Sequence, residues 1–302
     1  MNTTLAGAAA TFIGAAIWGL IWLPIQHIDQ LGVAGLWTIV LIQPAAAAVA
    51  FIFLVITGSL STLKHLDNWL VGISFGLSIM LYFTGILLSD VVRVIFLFYT
   101  LPIWTILWNA LLFRIRPLKR HYAVIAIALL GLWMLLSGGH SWIPKPQNIG
   151  DWSGLIAGAA WGLGLTLVEN RASASTKATS FISFCWAFVF AAVALWLTRD
   201  ASFNATTKEA LSLGLPLAIL VGVGIQFPIM YLMVWGAQKL SAPTAALLTM
   251  SEILAASISA SLILGNALNS IAWLGGVLIV SAAVLDIVLD LRGTKRKKLI
   301  SA

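Results

Sequence analysis

The chain has 302 residues, 61% of them hydrophobic and 9% charged, with a mean hydropathy of +1.01. A soluble domain carries about a quarter charged residues, so this composition cannot clothe a water-facing surface and instead fits an integral membrane protein. The net charge of +7 does not signal nucleic acid, because no polar stretch interleaves basic and aromatic residues.

Ten apolar stretches are long enough to cross ~30 Å of hydrocarbon at about 20 residues each. The first, Leu5–Ile28, has no Lys or Arg before it and is too long for a cleaved signal peptide. Val33–Thr57, Trp69–Leu88, Val91–Phe113 and Tyr122–Ser137 follow. A segment from Gly138 to Gly150, with Pro144 and Pro146, reads as an extended linker. Beyond it come Gly150–Val168, Thr179–Thr198, Ala210–Trp235, Pro243–Leu264 and Ile271–Leu289. Expected N-caps are Asp67 with Asn68, Asp151, Ser241, and Asn269 with Ser270. Gly222, Gly224 and Pro228 predict a kink in the eighth span. Cys185, the only cysteine, lies inside the seventh, which leaves no intrachain disulfide and no cysteine-based metal site.

With the N-terminus placed in the cytoplasm, all but Arg93, Lys145, Arg199 and Lys208 of the 17 basic residues fall on the cytoplasmic side. That is the positive-inside pattern, with both termini cytoplasmic and the tail from Arg292 to Lys298 as an anchor on anionic lipid. Gly150, Gly154, Gly158 and Gly162 form a stripe on one helix face, and Gly7, Thr11, Ala15 and Gly19 repeat it 143 residues earlier. Trp18-Gly19-Leu20 and Trp161-Gly162-Leu163 coincide at the same offset, and Gly85 matches Gly236 at an offset near 151. The chain therefore reads as all-α, with ten transmembrane helices in two five-helix repeats, residues 1–140 and 141–302. An odd number of spans inverts the second copy, the architecture of many secondary transporters.

Glu252 lies nine residues into the ninth span, ~14 Å along the helix and close to the bilayer centre. A carboxylate there is costly unless it lines a wet cavity, pairs or takes a proton, so Glu252 is expected to meet a substrate ammonium or a proton. Trp18 and Trp161 sit mid-span beside glycines and either face a cavity or pack as bulk. Tyr82 and Tyr99 carry hydroxyls that need partners inside the membrane. Gln226, before Pro228, leans towards the cavity, whereas Gln43, before Pro44, is expected to satisfy freed carbonyls. Trp186 and Ser251 are further candidates for the site, while Trp22, Trp104 and Trp108 are assigned to lipid or neighbouring helices. Pro44, Pro102 and Pro228 are candidate hinges. Asp90 and Arg93, spaced i, i+3, are expected to form an interfacial pair, with an outer gate as the alternative. His27, His65, His121 and His140 lie near span ends or in loops without metal-ligand spacing, and Gly222-Val-Gly224 follows no strand. No metal, cofactor or nucleotide is expected, and no nucleophile–base pair supports an enzyme.

Ten spans, the paired Trp-Gly-Leu segments, Leu88-Ser89-Asp90-Val91 with Leu240-Ser241-Ala242-Pro243, and Tyr99-Thr100-Leu101-Pro102 with Ser251-Glu252-Ile253-Leu254 resemble the EamA family of the drug/metabolite transporter superfamily. Departures are Ile253 where the first half has Pro102, and Arg114 and Asn266 where that family often ends these spans on an acid. The resemblance is greatest to the aromatic amino-acid exporters of that family. It implies a multi-pass protein of a bacterial inner membrane that exports aromatic and other neutral amino acids or similar small metabolites. The implied partners are that small-molecule substrate and membrane lipid, and the protein is expected to work as a monomer. Two alternatives stand beside it: a multidrug or cationic-compound exporter of the same superfamily, or a membrane-embedded receptor or enzyme.

Overall fold

A computed structural model describes residues 3–139, 145–171, 173–198, 201–202, 205–265 and 267–300, with side chains as far as residue 289. His140, Pro144, Arg199, Asn266 and the side chains of the basic tail lie outside the described residues. Among the described residues the fold is all-helical. The helices are α1 (Thr3–Trp18), α2 (Trp22–Gln30), α3 (Trp37–Ile56), α4 (Leu66–Leu88), α5 (Val91–Phe98), α6 (Leu101–Phe113) and α7 (Lys119–Ser137). The second half has α8 (Ile149–Asn170), α9 (Thr176–Leu197), α10 (Lys208–Val221), α11 (Phe227–Ala237), α12 (Ala242–Thr249), α13 (Ser251–Leu264) and α14 (Ser270–Ile300). Exposed apolar side chains such as Leu220, Leu262 and Trp196 cover the outside, as contact with lipid tails requires.

Nine helical stretches among the described residues are long and apolar enough to cross a membrane. The tenth expected span, α8, has the length (22 residues) but is not one of the nine. Asp151, Glu169 and five glycines dilute its apolarity. Fourteen of its 22 residues are buried, against α4, α5, α6 and α12. A helix sheathed by other helices does not need the apolarity of a lipid-facing one, so its composition follows from its place at the centre.

Backbones approach most closely at glycine. A Cβ on Gly85 of α4 would lie 2.9 Å from the Gly150 carbonyl of α8, and one on Gly7 of α1 would lie 2.9 Å from the Gly236 carbonyl of α11. In both, a first-half helix meets a second-half helix at positions that the two sequence offsets pair. Gly72 of α4 packs on Ile182 of α9, and Gly222 packs on the Ile42 carbonyl of α3. Gly131 of α7 and Gly275 of α14 face each other directly.

Helix starts differ in part from expectation. Ser241 and Asn269 accept from the amides of Thr244 and Ala272 as expected caps do. Asn148, not Asp151, caps α8, and Asp67 and Asn68 lie inside α4 rather than at its cap. The kink in the eighth span takes the form of a π-helical segment, Gly222–Gln226, between α10 and α11, with Pro228 at the start of α11. Pro44 stays inside a continuous α3, and Pro216 inside α10.

Candidate functional site

Three spans break near mid-length, and the site is built on the breaks. The first span pauses between Trp18 and Trp22, the fourth at Tyr99-Thr100 and the ninth at Met250. The half-helices before the last two breaks, α5 and α12, are eight residues each. Tyr99, fully buried, donates its hydroxyl to the Thr249 carbonyl at 3.3 Å, so the break in one half is tied to the break in the other. Pro102 opens α6, where its missing N–H costs nothing. The equivalent restart at α13 has Ile253 instead, and Glu252 stands in its first turn, where the helix dipole favours a carboxylate. Gly19 packs directly on the Glu252 backbone carbonyl.

Around these breaks lies a central cavity of about 20 Å³, room for roughly one water. Trp18, Ser78, Ile79, Tyr82, Phe98, Trp161, Met233, Thr249 and Glu252 line it. Trp18 and Trp161 meet edge to face, their ring centroids 6.3 Å apart at 61°. Phe75 braces Trp161 at 4.6 Å, and Phe98 lies 4.7 Å from Tyr82. The Tyr82 hydroxyl points to Glu252 Oε1 at 3.5 Å, and the Ser78 hydroxyl is held by the Ala157 carbonyl at 2.7 Å. The lining thus holds aromatic faces, a few hydroxyls and one carboxylate, with no cationic side chain. Such a wall suits a flat apolar group and a positive nitrogen. At its present size it admits neither, so the cavity is closed.

Of the sequence candidates, Trp18, Tyr82, Trp161 and Glu252 converge on this cavity, and Tyr99 backs it through Thr249. Trp186 of α9 lies against Gly76 and Phe190, outside the cavity lining. Ser251 donates to the Phe12 carbonyl of α1 at 2.8 Å, a contact between helices. Gln226 is buried in the π segment, again outside the lining, and its Nε2 has no hydrogen-bond partner among the described residues. Gln43 is equally buried, and its Oε1 has no hydrogen-bond partner among the described residues. Pro44 faces a lateral groove with Phe51, Phe181 and Cys185. Trp22 donates to Ser259 and Trp108 to the Ala159 carbonyl, so both serve helix contacts. Sequence reasoning missed Ser78, Phe98, Met233 and Thr249. Phe98 and Thr249 end α5 and α12, and only recognition of the breaks would have found them.

The pairing expected between Asp90 and Arg93 takes another form. Asp90 caps α5 by accepting from the Arg93 amide, and the Arg93 guanidinium turns instead to Asp151 of α8 at 2.8 Å. Asp151 is completely buried and also accepts from Ser89 (2.5 Å) and the Gln147 amide (2.8 Å). At the other end of α8, Glu169 Oε2 accepts from Asn109 of α6 (3.0 Å) and from the Ala242 amide that opens α12 (2.9 Å). His121 is not an interfacial residue: it is buried, 3.7 Å from the buried Asp286, which accepts from Thr244 at 2.5 Å. Among the described residues no cluster of His, Cys, Asp and Glu is arranged to hold a metal.

Residues 148–287 match the EamA-like transporter family, a stretch that runs from the cap of α8 into α14. That match implies a membrane transporter of the drug/metabolite superfamily, and with nine apolar helices it describes a multi-pass membrane protein. No curated protein matches the chain. One solved crystal structure is similar at a TM-score of 0.73 and 18% sequence identity, over 95% of this chain and 98% of that one. At that identity the similarity concerns the fold.

Proposed function

We propose that the chain is a secondary transporter that exports aromatic and other neutral amino acids, or metabolites of similar size, across a bacterial inner membrane. Two inverted five-helix halves, residues 1–140 and 141–302, would alternate their access to the central cavity, with both termini in the cytoplasm. The observation that carries this reading is the meeting of Trp18 and Trp161, equivalent positions of the two halves, beside the mid-span Glu252. The reciprocal Gly85–Gly150 and Gly7–Gly236 contacts support the duplication. In this mechanism the two indoles with Tyr82 and Phe98 hold the substrate ring, and Glu252 receives its ammonium. Tyr99, Trp186, Gln226 and Ser251 reach substrate only in open states. Pro44, Pro102 and Pro228 sit where the helices flex, and neither cofactor nor second subunit takes part.

A second reading, a cationic-compound exporter, is favoured by one observation: no cationic side chain lines the cavity to meet a substrate carboxylate. Counterflow in proteoliposomes separates the two. Vesicles loaded with tryptophan should take up labelled tryptophan or phenylalanine under the first reading. Uptake confined to permanent organic cations would replace it with the second, and no exchange of any solute would remove the transport reading.

A further inference from the structure

We propose that α8 is a clasp with two ends: Asp151 holds the short half-helix α5 on one membrane face, Glu169 holds the short half-helix α12 on the other, and each must let go for the cavity to open to its own face. The proposal deepens the alternating-access reading and rests on it.

The geometry has three parts. Asp151 and Glu169 are 18 positions apart, ~27 Å along the helix, and so stand near opposite surfaces of the hydrocarbon layer. Trp161, the α8 residue in the cavity, lies between them. Each acid engages the beginning of one eight-residue half-helix: Asp151 binds Arg93 in the first turn of α5, and Glu169 accepts the Ala242 amide at the start of α12. Each half-helix then ends in the cavity wall, α5 at Phe98 and α12 at Thr249. Prising either one from α8 enlarges the space beside Trp161 from that side.

Packing between clasp and cavity agrees with this. Gly154 and Gly158 of α8 let α5 lie flush, with Val94 and the Phe98 carbonyl against them. Small residues at such a seam give close contact without interdigitated side chains, so the helices can part without unlocking rotamers. The seam is therefore held at its rim by polar groups. Both ends are engaged here, which accounts for a cavity no larger than a water. The two ends differ in strength. Asp151 is buried and ion-paired, while Glu169 is exposed to solvent and binds neutral donors. Release at the Asp151 end should therefore have the larger effect.

The test uses the full chain with Cys185→Ser and a cavity reporter, Ser78→Cys, reacted with a membrane-impermeant thiol reagent from either face. Arg93→Gln, or Asp151→Asn, should speed labelling about tenfold or more from the face that carries the start of α8. Glu169→Ala, or Asn109→Ala, should speed it several-fold from the opposite face. Two variants at each end guard against one that fails to fold, and elution from a size-exclusion column as a monodisperse peak checks each. Faster labelling from the same face at both ends, or no change at either, would overturn the proposal. Labelling needs no substrate, so a protein that exchanges none of the tested solutes still gives a readable answer about the clasp.

Discussion

Glu252 sets the chemistry of the cavity because it brings its only charge. The carboxylate has the hydroxyls of Tyr99 and, at 3.5 Å, Tyr82 beside it and has no ion-pair partner among the described residues. Hydrogen bonds to a charged group contribute about 1.5–3 kcal/mol. Glu252→Gln should therefore cut uptake at low substrate concentration by about tenfold or more, with expression and folding retained. Unchanged flux in that variant would take Glu252 out of the mechanism. Glycine offers a cleaner comparison of packing. A Cβ at Gly158 would collide with the Phe98 carbonyl, whereas at Gly224 the nearest atom is 3.9 Å away. Gly158→Ala should lower stability by about 1–3 kcal/mol, and Gly224→Ala should be neutral or stabilising by about 0.5–1 kcal/mol. Thermal unfolding in detergent measures both, and equal effects would contradict the packing account.

The breaks in the spans do at the scale of an element what those residues do locally. A continuous helix satisfies its own backbone; a broken one leaves carbonyls such as that of Thr249 for a partner, here Tyr99. Tyr99→Phe removes that cross-tie, and thermal unfolding in detergent should show a loss of about 0.5–1.5 kcal/mol. Unchanged stability in Tyr99→Phe would mean that this hydroxyl does not tie the two breaks together. Much of this level was legible from the residues: span order, the Gly stripes and the kink at Gly222 to Pro228 follow from periodicity and from glycine and proline. The break at Met250 was not, because no proline marks it. Nor was the Arg93–Asp151 pair, since the partners are 58 positions apart and a nearer acid, Asp90, suited the local spacing. That Trp186 lies outside the closed cavity was not legible for a related reason: mid-span depth is readable from sequence, but the direction a side chain faces depends on neighbouring helices.

For the whole molecule, α8 is the helix on which the account turns. It carries Asp151 and Glu169 near its two ends, it packs against helices of both halves, and in the proposed topology its crossing inverts the second half. Its composition keeps it out of the nine apolar spans, yet its burial against α4, α5, α6 and α12 explains that composition without removing it from the membrane. The equivalent turns after α3 and after α9 expose Ser61 and Ala205. Four crossings separate them if α8 does not span, and five if it does. Single cysteines Ser61→Cys and Ala205→Cys, in a Cys185→Ser background, can be labelled with an impermeant thiol reagent in intact cells and in inverted vesicles. Labelling of the two from opposite faces, with Ser61→Cys reached from the cytoplasm, is the predicted result; labelling of both from one face would contradict the inverted halves and the transport cycle built on them.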